Sequence, residues 1–196
     1  MKRQTLATAL LIACGMLGAT ASATIDQKQA DQKQAPERYT AFAIDPNSPG
    51  ATANVDITLT RWTPDAERER LTNILLEQGA AKMLDALKAL PRLGTIRATG
   101  SLGWDLRYAR RTELPDGGQR IEIITDRPIG TYEAADQSRS MEYPFTMIDL
   151  RLNAKGEGEG KLYVATRIAA DKGTKVIVME NYNIAPVQLT AVKRLK

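Results

Sequence analysis

The chain has no histidine and one cysteine, Cys14. Without His, Ser-His-Asp and Cys-His catalysis are excluded. So are His-ligated zinc, copper and non-haem iron centres. Cys14 lies in the apolar start of the chain. If that start is removed, the remainder has no thiol nucleophile, no disulfide and no iron–sulfur cluster. Aromatics make up only 5% of the residues. A dominant charge sign is missing too. The formal charge is +4, and removing residues 1–23 takes away Lys2 and Arg3 but no acid, leaving +2. Interspersed signs at that charge make no case for nucleic acid, which calls for a concentrated basic patch. The sequence implies no metal and no cofactor.

The start of the chain reads as an export signal. "MKRQ" is basic, "TLATALLIACGML" is apolar but too short to span a bilayer, and "ATASA" ends in the small residues a signal peptidase cuts after. Cleavage is expected before Thr24, giving a periplasmic or secreted bacterial protein. The rival reading takes "LIAC" as a lipoprotein box, with Cys14 as a lipidated N-terminus. Residues 24–38 hold the unit "DQKQA" twice in tandem and little to bury, so they read as a disordered spacer, or as a tether if Cys14 is lipidated. Residues 39–196 are then one domain, long enough to be held by its core without disulfides.

Within that domain, "RYTAFAI" reads as a short strand and "DPNSPG" as a turn. "ANVDITLTRW" alternates, with Val55, Ile57 and Leu59 on one face. "TPDAERERLTNILLEQG" reads as a helix capped by Thr63, with Pro64 at its first helical position, a Leu71/Ile74/Leu75 stripe and a stop at Gly79. "AAKMLDALKAL" offers Met83, Leu84 and Leu87 and stops at Pro91. Strands follow: one near Ile96, then 104–112, 119–126, 145–153, 161–169, 175–182 and 187–194, joined by hairpin turns. A long connection, 127–144, reads as a functional flap or a concealed short helix. The expected fold is α+β: an antiparallel meander of about six to eight strands with an early helical hairpin packed on it. The pattern leaves open whether the sheet curls into a barrel or half-barrel.

"WDLRYARR" (104–111) is the sharpest local feature, with three arginines beside a Trp and a Tyr. A two-residue turn at Asp116-Gly117 would set Arg111 opposite Glu122, Arg107 opposite Asp126 and Ala109 opposite Ile124. Trp104, Leu106 and Tyr108 would then share the apolar face with Ile121 and Ile123. In "VIVMENY", Val176, Val178, Glu180 and Tyr182 share a face. Arg110 is left without a local partner, and Glu180 is the expected one, within about 4 Å. Trp104, Tyr108, Arg110, Glu180 and Tyr182 are the candidate ligand-binding residues, on the concave face of a curled sheet.

Other chemistries find weaker support. "KGEGEGK" (155–161) lacks the Lys-Ser/Thr ending of a phosphate loop and reads as a hairpin loop. Glu157 and Glu159 match no calcium-loop spacing. Ser101, Ser138 and Ser140 sit in no nucleophile motif. Glu122, Asp126, Glu142, Asp149 and Glu180 could supply a carboxylate pair for His-independent hydrolysis, but their spacing singles out no pair.

The strings "RW" near 61, "GWDLRYAR", "LPDGG", "TDRPIG", "YPFTMIDLRL" and "GEGEGKL" resemble those of small exported bacterial proteins of uncharacterised function. The resemblance covers most of the chain from Val55 on and implies no activity, cofactor or site. The expected role is non-catalytic binding of a small apolar or amphipathic ligand, or of an envelope partner. The alternatives are a carboxylate hydrolase and a purely structural or interaction protein.

Overall fold

The computed structural model describes residues 35–129, 143–171, 176–181 and 185–195, all within one compact unit, Gln34–Lys196. The N-terminal segment read as an export signal, Cys14, residues 130–142 of the long connection and Tyr182 lie outside the described residues.

The fold is α+β. The strands are β1 (Glu37–Ile44), β2 (Thr52–Leu59), β3 (Gly94–Ala98), β4 (Trp104–Leu106), β5 (Tyr108–Glu113), β6 (Gln119–Ile124), β7 (Phe145–Leu152), β8 (Glu157–Asp171), β9 (Val176–Asn181) and β10 (Val187–Leu195). Helices α1 (Asp65–Gln78) and α2 (Ala80–Ala89) fall between β2 and β3. The antiparallel sheet runs β4-β3-β2-β1-β10-β8-β7-β6-β5, with β9 on β8. Its two ends, β4 and β5, are separated in the chain by Arg107 alone. One stretch of chain thus pairs first with β3 and then with β6, and the sheet rolls into a nearly closed barrel.

Alternation explains the filling. Val55, Ile57 and Leu59 of β2 point inward, as expected. They meet Tyr39 of β1, Ile121 and Ile123 of β6, Ile148 and Leu150 of β7, and Leu189 of β10. A second core lies outside the barrel. There Leu71, Leu75, Met83 and Leu87 of the helical hairpin pack on Ile124, Phe145 and Ile168. Each such side chain contributes about 1.5–3 kcal/mol by leaving water. None of the described helices is long and apolar enough to cross a membrane.

Three expectations are corrected. The β5–β6 hairpin turns over three residues, Pro115 to Gly117, with Gly117 at φ +77°. The Leu114 N–H reaches the Gly118 carbonyl at 2.8 Å. This shifts the pairing by one residue, so that Arg110 opposes Glu122 and Arg111 opposes Ile121. A left-handed glycine closing a three-residue loop competes well with the two-residue turn. The second correction concerns β4 and β5. Leu106 and Ala109 both point into the barrel, so alternation slips at Arg107, and Tyr108 turns outward to the helices. Third, Thr63 does not cap α1, which has no side-chain cap. Its hydroxyl accepts the Ala109 N–H at 2.9 Å and its own N–H donates to the Ala109 carbonyl at 3.0 Å. Two backbone groups at the strand junction claim it first.

Candidate functional site

The two ends of the barrel differ. At one end β1 supplies Glu37, inside the segment read as spacer, and Tyr39. The Glu37 carboxylate accepts hydrogen bonds from the Tyr39 hydroxyl (2.7 Å), the Trp62 indole (3.0 Å) and the Arg111 guanidinium (3.2 Å). Arg111 also lies 4.9 Å from the centre of the Trp62 ring. Each of these polar groups finds a partner, so this end is a plug. Burial, with the hydrogen bond to Glu37 behind it, pushes the Tyr39 hydroxyl far above its usual pKa.

The other end is open, apolar and built largely from small inward-facing residues. Ala43 and Ala53 oppose each other across β1 and β2, Val55 opposes Ala98 across β2 and β3, and Ile96 opposes Trp104 across β3 and β4. Leu162, Val164 and Val187 complete the wall. Ile129 enters from the chain beyond β6 and is 6% exposed. Its N–H donates to the Val164 carbonyl at 3.3 Å. Upstream, the buried Thr125 hydroxyl donates to the Arg127 carbonyl and accepts the Thr146 N–H at 3.1 Å, fixing "TDRPI" against β7. Four alanines, Ala51 at the rim included, around a single Trp leave a pocket of about 280 Å³. That is just below the ~300–1,000 Å³ usual for ligand sites.

The rim of this mouth is the β1–β2 turn. Asp45 Oδ1 accepts from both the N–H and the side-chain amide of Asn47, each at 2.9 Å. Asn47 in turn clips Ala185 through two further bonds of 2.8 and 3.1 Å. Asp45 is the one ionisable residue lining the pocket among the described residues.

The five candidate residues do not converge. Trp104 lines the mouth. Tyr108 and Arg110 lie on the outer wall, in a groove of about 260 Å³ under α1 with Arg68, Leu71, Met83 and Met179. Burial raises the Tyr108 pKa. Met179 faces that groove, so alternation puts Glu180 on the other face of β9. Glu180 is exposed and accepts a hydrogen bond from Tyr143 at 3.0 Å. No ion pair among the described residues joins it to Arg110, and the expected pairing is corrected. Tyr182 lies outside the described residues. Sequence reasoning missed Ala43, Ala53, Ala98 and Ile129. The available signal is alanine at inward strand positions, which also reads as ordinary core.

The carboxylates are mostly engaged. Arg120 grips Asp149 through two bonds of 3.0 Å and reaches Glu122 at 3.2 Å on the outer face. The Asp149 hydrogen bonds lead the causes that raise the Arg120 pKa. Arg107 holds Asp126 at 3.0 Å, as the sequence led one to expect, and also donates to the Leu90 carbonyl at 2.9 Å. Glu157 meets Lys193 at 3.6 Å. The Ser101 hydroxyl donates to the Ala98 carbonyl in a turn. Glu142, Ser138 and Ser140 lie outside the described residues. Comparison with family models, curated proteins and solved structures finds no match.

Proposed function

We propose that the protein is a non-catalytic binding module that takes a small apolar or amphipathic ligand into the open mouth of its barrel. The observation that carries this is the contrast between the ends. One is sealed by a fully paired polar plug, and the other is left open and lined by alanines, aliphatics and Trp104. An apolar concavity of that kind gains free energy by excluding water around a matching ligand. The signal-like N-terminus supports placing this activity in the bacterial envelope. The hydrolase reading is less well supported, because Glu122 and Asp149 share one arginine instead of facing each other across a cleft. Phe42 and Ile44, each 40% exposed on the outside of β1, favour contact with an envelope partner as a second role.

Native mass spectrometry of protein taken from its own envelope tests the reading. The expected spectrum shows a chain starting at Thr24 with a small apolar molecule bound, and loss of that molecule from Ala43→Leu. Identical ligand occupancy in the wild type and Ala43→Leu would overturn the assignment to the mouth. An acylated Cys14 at the start of the chain would replace the free periplasmic form with an anchored one.

A further inference from the structure

Resting on the reading of the mouth as a ligand pocket, we infer that it discriminates by head-group charge: it takes an apolar chain bearing an uncharged or cationic head and rejects the anionic counterpart, and Asp45 sets this preference. Three observations converge on it. Among the described residues lining the pocket, Asp45 is the single ionisable one, and none is Lys or Arg. Its position is fixed, because Oδ1 is held by both nitrogens of Asn47 and its backbone N–H donates to the Ala51 carbonyl at 3.1 Å. The cations nearest in sequence to lining residues are placed elsewhere. Arg97 alternates with Ile96 and Ala98 and pairs with Asp56 at 3.7 Å on the outer face. Lys161 lies next to Leu162 but on the outer face of β8.

A ligand whose chain fills the pocket must leave its polar end at the rim, near this carboxylate. A carboxylate or phosphate head then meets like charge beside a low-dielectric wall. An ammonium head meets an acceptor, and an alcohol is indifferent to the sign. Free fatty acids and acidic phospholipid fragments are therefore disfavoured. Fatty alcohols, neutral terpenoid-like molecules and alkylamines are favoured.

The experiment compares decanol, decylamine and decanoate by calorimetric titration below their aggregation limits, at neutral pH, with wild type and Asp45→Asn. The amide oxygen that Asp45→Asn introduces can still accept from Asn47, so the turn is kept. Decylamine is expected to bind about tenfold more tightly than decanoate to the wild type, with decanol between. In Asp45→Asn the spread should fall to within about twofold. Salt gives a reading on the wild type alone: raising it from about 0.1 M to about 1 M shortens the screening length from ~10 to ~3 Å and should narrow the spread. Equal binding of decylamine and decanoate by the wild type, or an unchanged spread in Asp45→Asn, would overturn the inference while leaving the pocket reading intact. Failure of all three, the alcohol included, would overturn both.

Discussion

The hydroxyl of Tyr39 is buried at the sealed end of the barrel and donates to Glu37 at 2.7 Å. Its ionisation is linked to folding with a definite sign. Burial first, and the acceptor Glu37 second, raise its folded pKa above the ordinary 10.0. The folded chain therefore keeps a proton that the unfolded chain loses above about pH 10. The stabilisation is present in full below that pH and declines as pH rises toward the folded value. Urea unfolding from about pH 8 to pH 11 should show wild type losing stability more steeply than Tyr39→Phe. The variant retains a residual slope because Tyr108 shifts the same way. Equal slopes would mean that Tyr39 titrates normally. At this scale the arginines show what the sequence could and could not convey. Arg107 meets Asp126, as expected from the charges alone. Arg111, expected opposite Glu122, meets Glu37, 74 residues away. Glu37 lies in a polar stretch without apolar periodicity, and only the start of β1 there makes it structural.

Strands β7, β8 and β10 are drawn tightly together by glycine. Gly158 opposes Leu152 of β7 and Val192 of β10, and a Cβ on it would run into the Arg151 carbonyl. Backbone of a neighbouring strand cannot yield as a flexible side chain would. Gly158→Ala should therefore cost about 2–3 kcal/mol by overpacking. Lys155→Ala, in the exposed turn before it, should stay within about 0.5 kcal/mol. Urea denaturation of both checks this, and a Gly158→Ala value near that of Lys155→Ala would contradict it. "KGEGEGK" reads as a hairpin loop, but the turn ends at Gly156 and the later glycines belong to β8. Turn chemistry and close strand approach both select glycine, so composition alone does not separate them. The helices were more legible. Leu71, Leu75, Met83 and Leu87 lie on the buried side as their spacing requires, because a 3.6-residue period has one outcome. The one-residue slips at Arg107 and at the β5–β6 turn were not legible, because alternation alone carries no mark of where its phase changes.

Across the whole unit, closure of the barrel follows from one bent stretch of chain serving both ends of the sheet. The antiparallel meander followed from the alternating segments and turns, but its ten strands exceed the six to eight expected. The curl depended on Arg107 and the long-range β1–β10 pairing, which no local pattern encodes. That closure creates two unlike ends, and the central claim is that the open one is a binding site and not a packing defect. Calorimetric titration of decanol into wild type and Ala43→Leu tests this most directly. Leucine at that inward position occupies part of the roughly 280 Å³. Wild type should bind one decanol per chain with a negative heat-capacity change. Ala43→Leu should lose at least about tenfold in affinity while its unfolding midpoint holds or rises, since filling an apolar cavity does not weaken the fold. Equal affinity in the two proteins, or no binding by the wild type, would contradict the account.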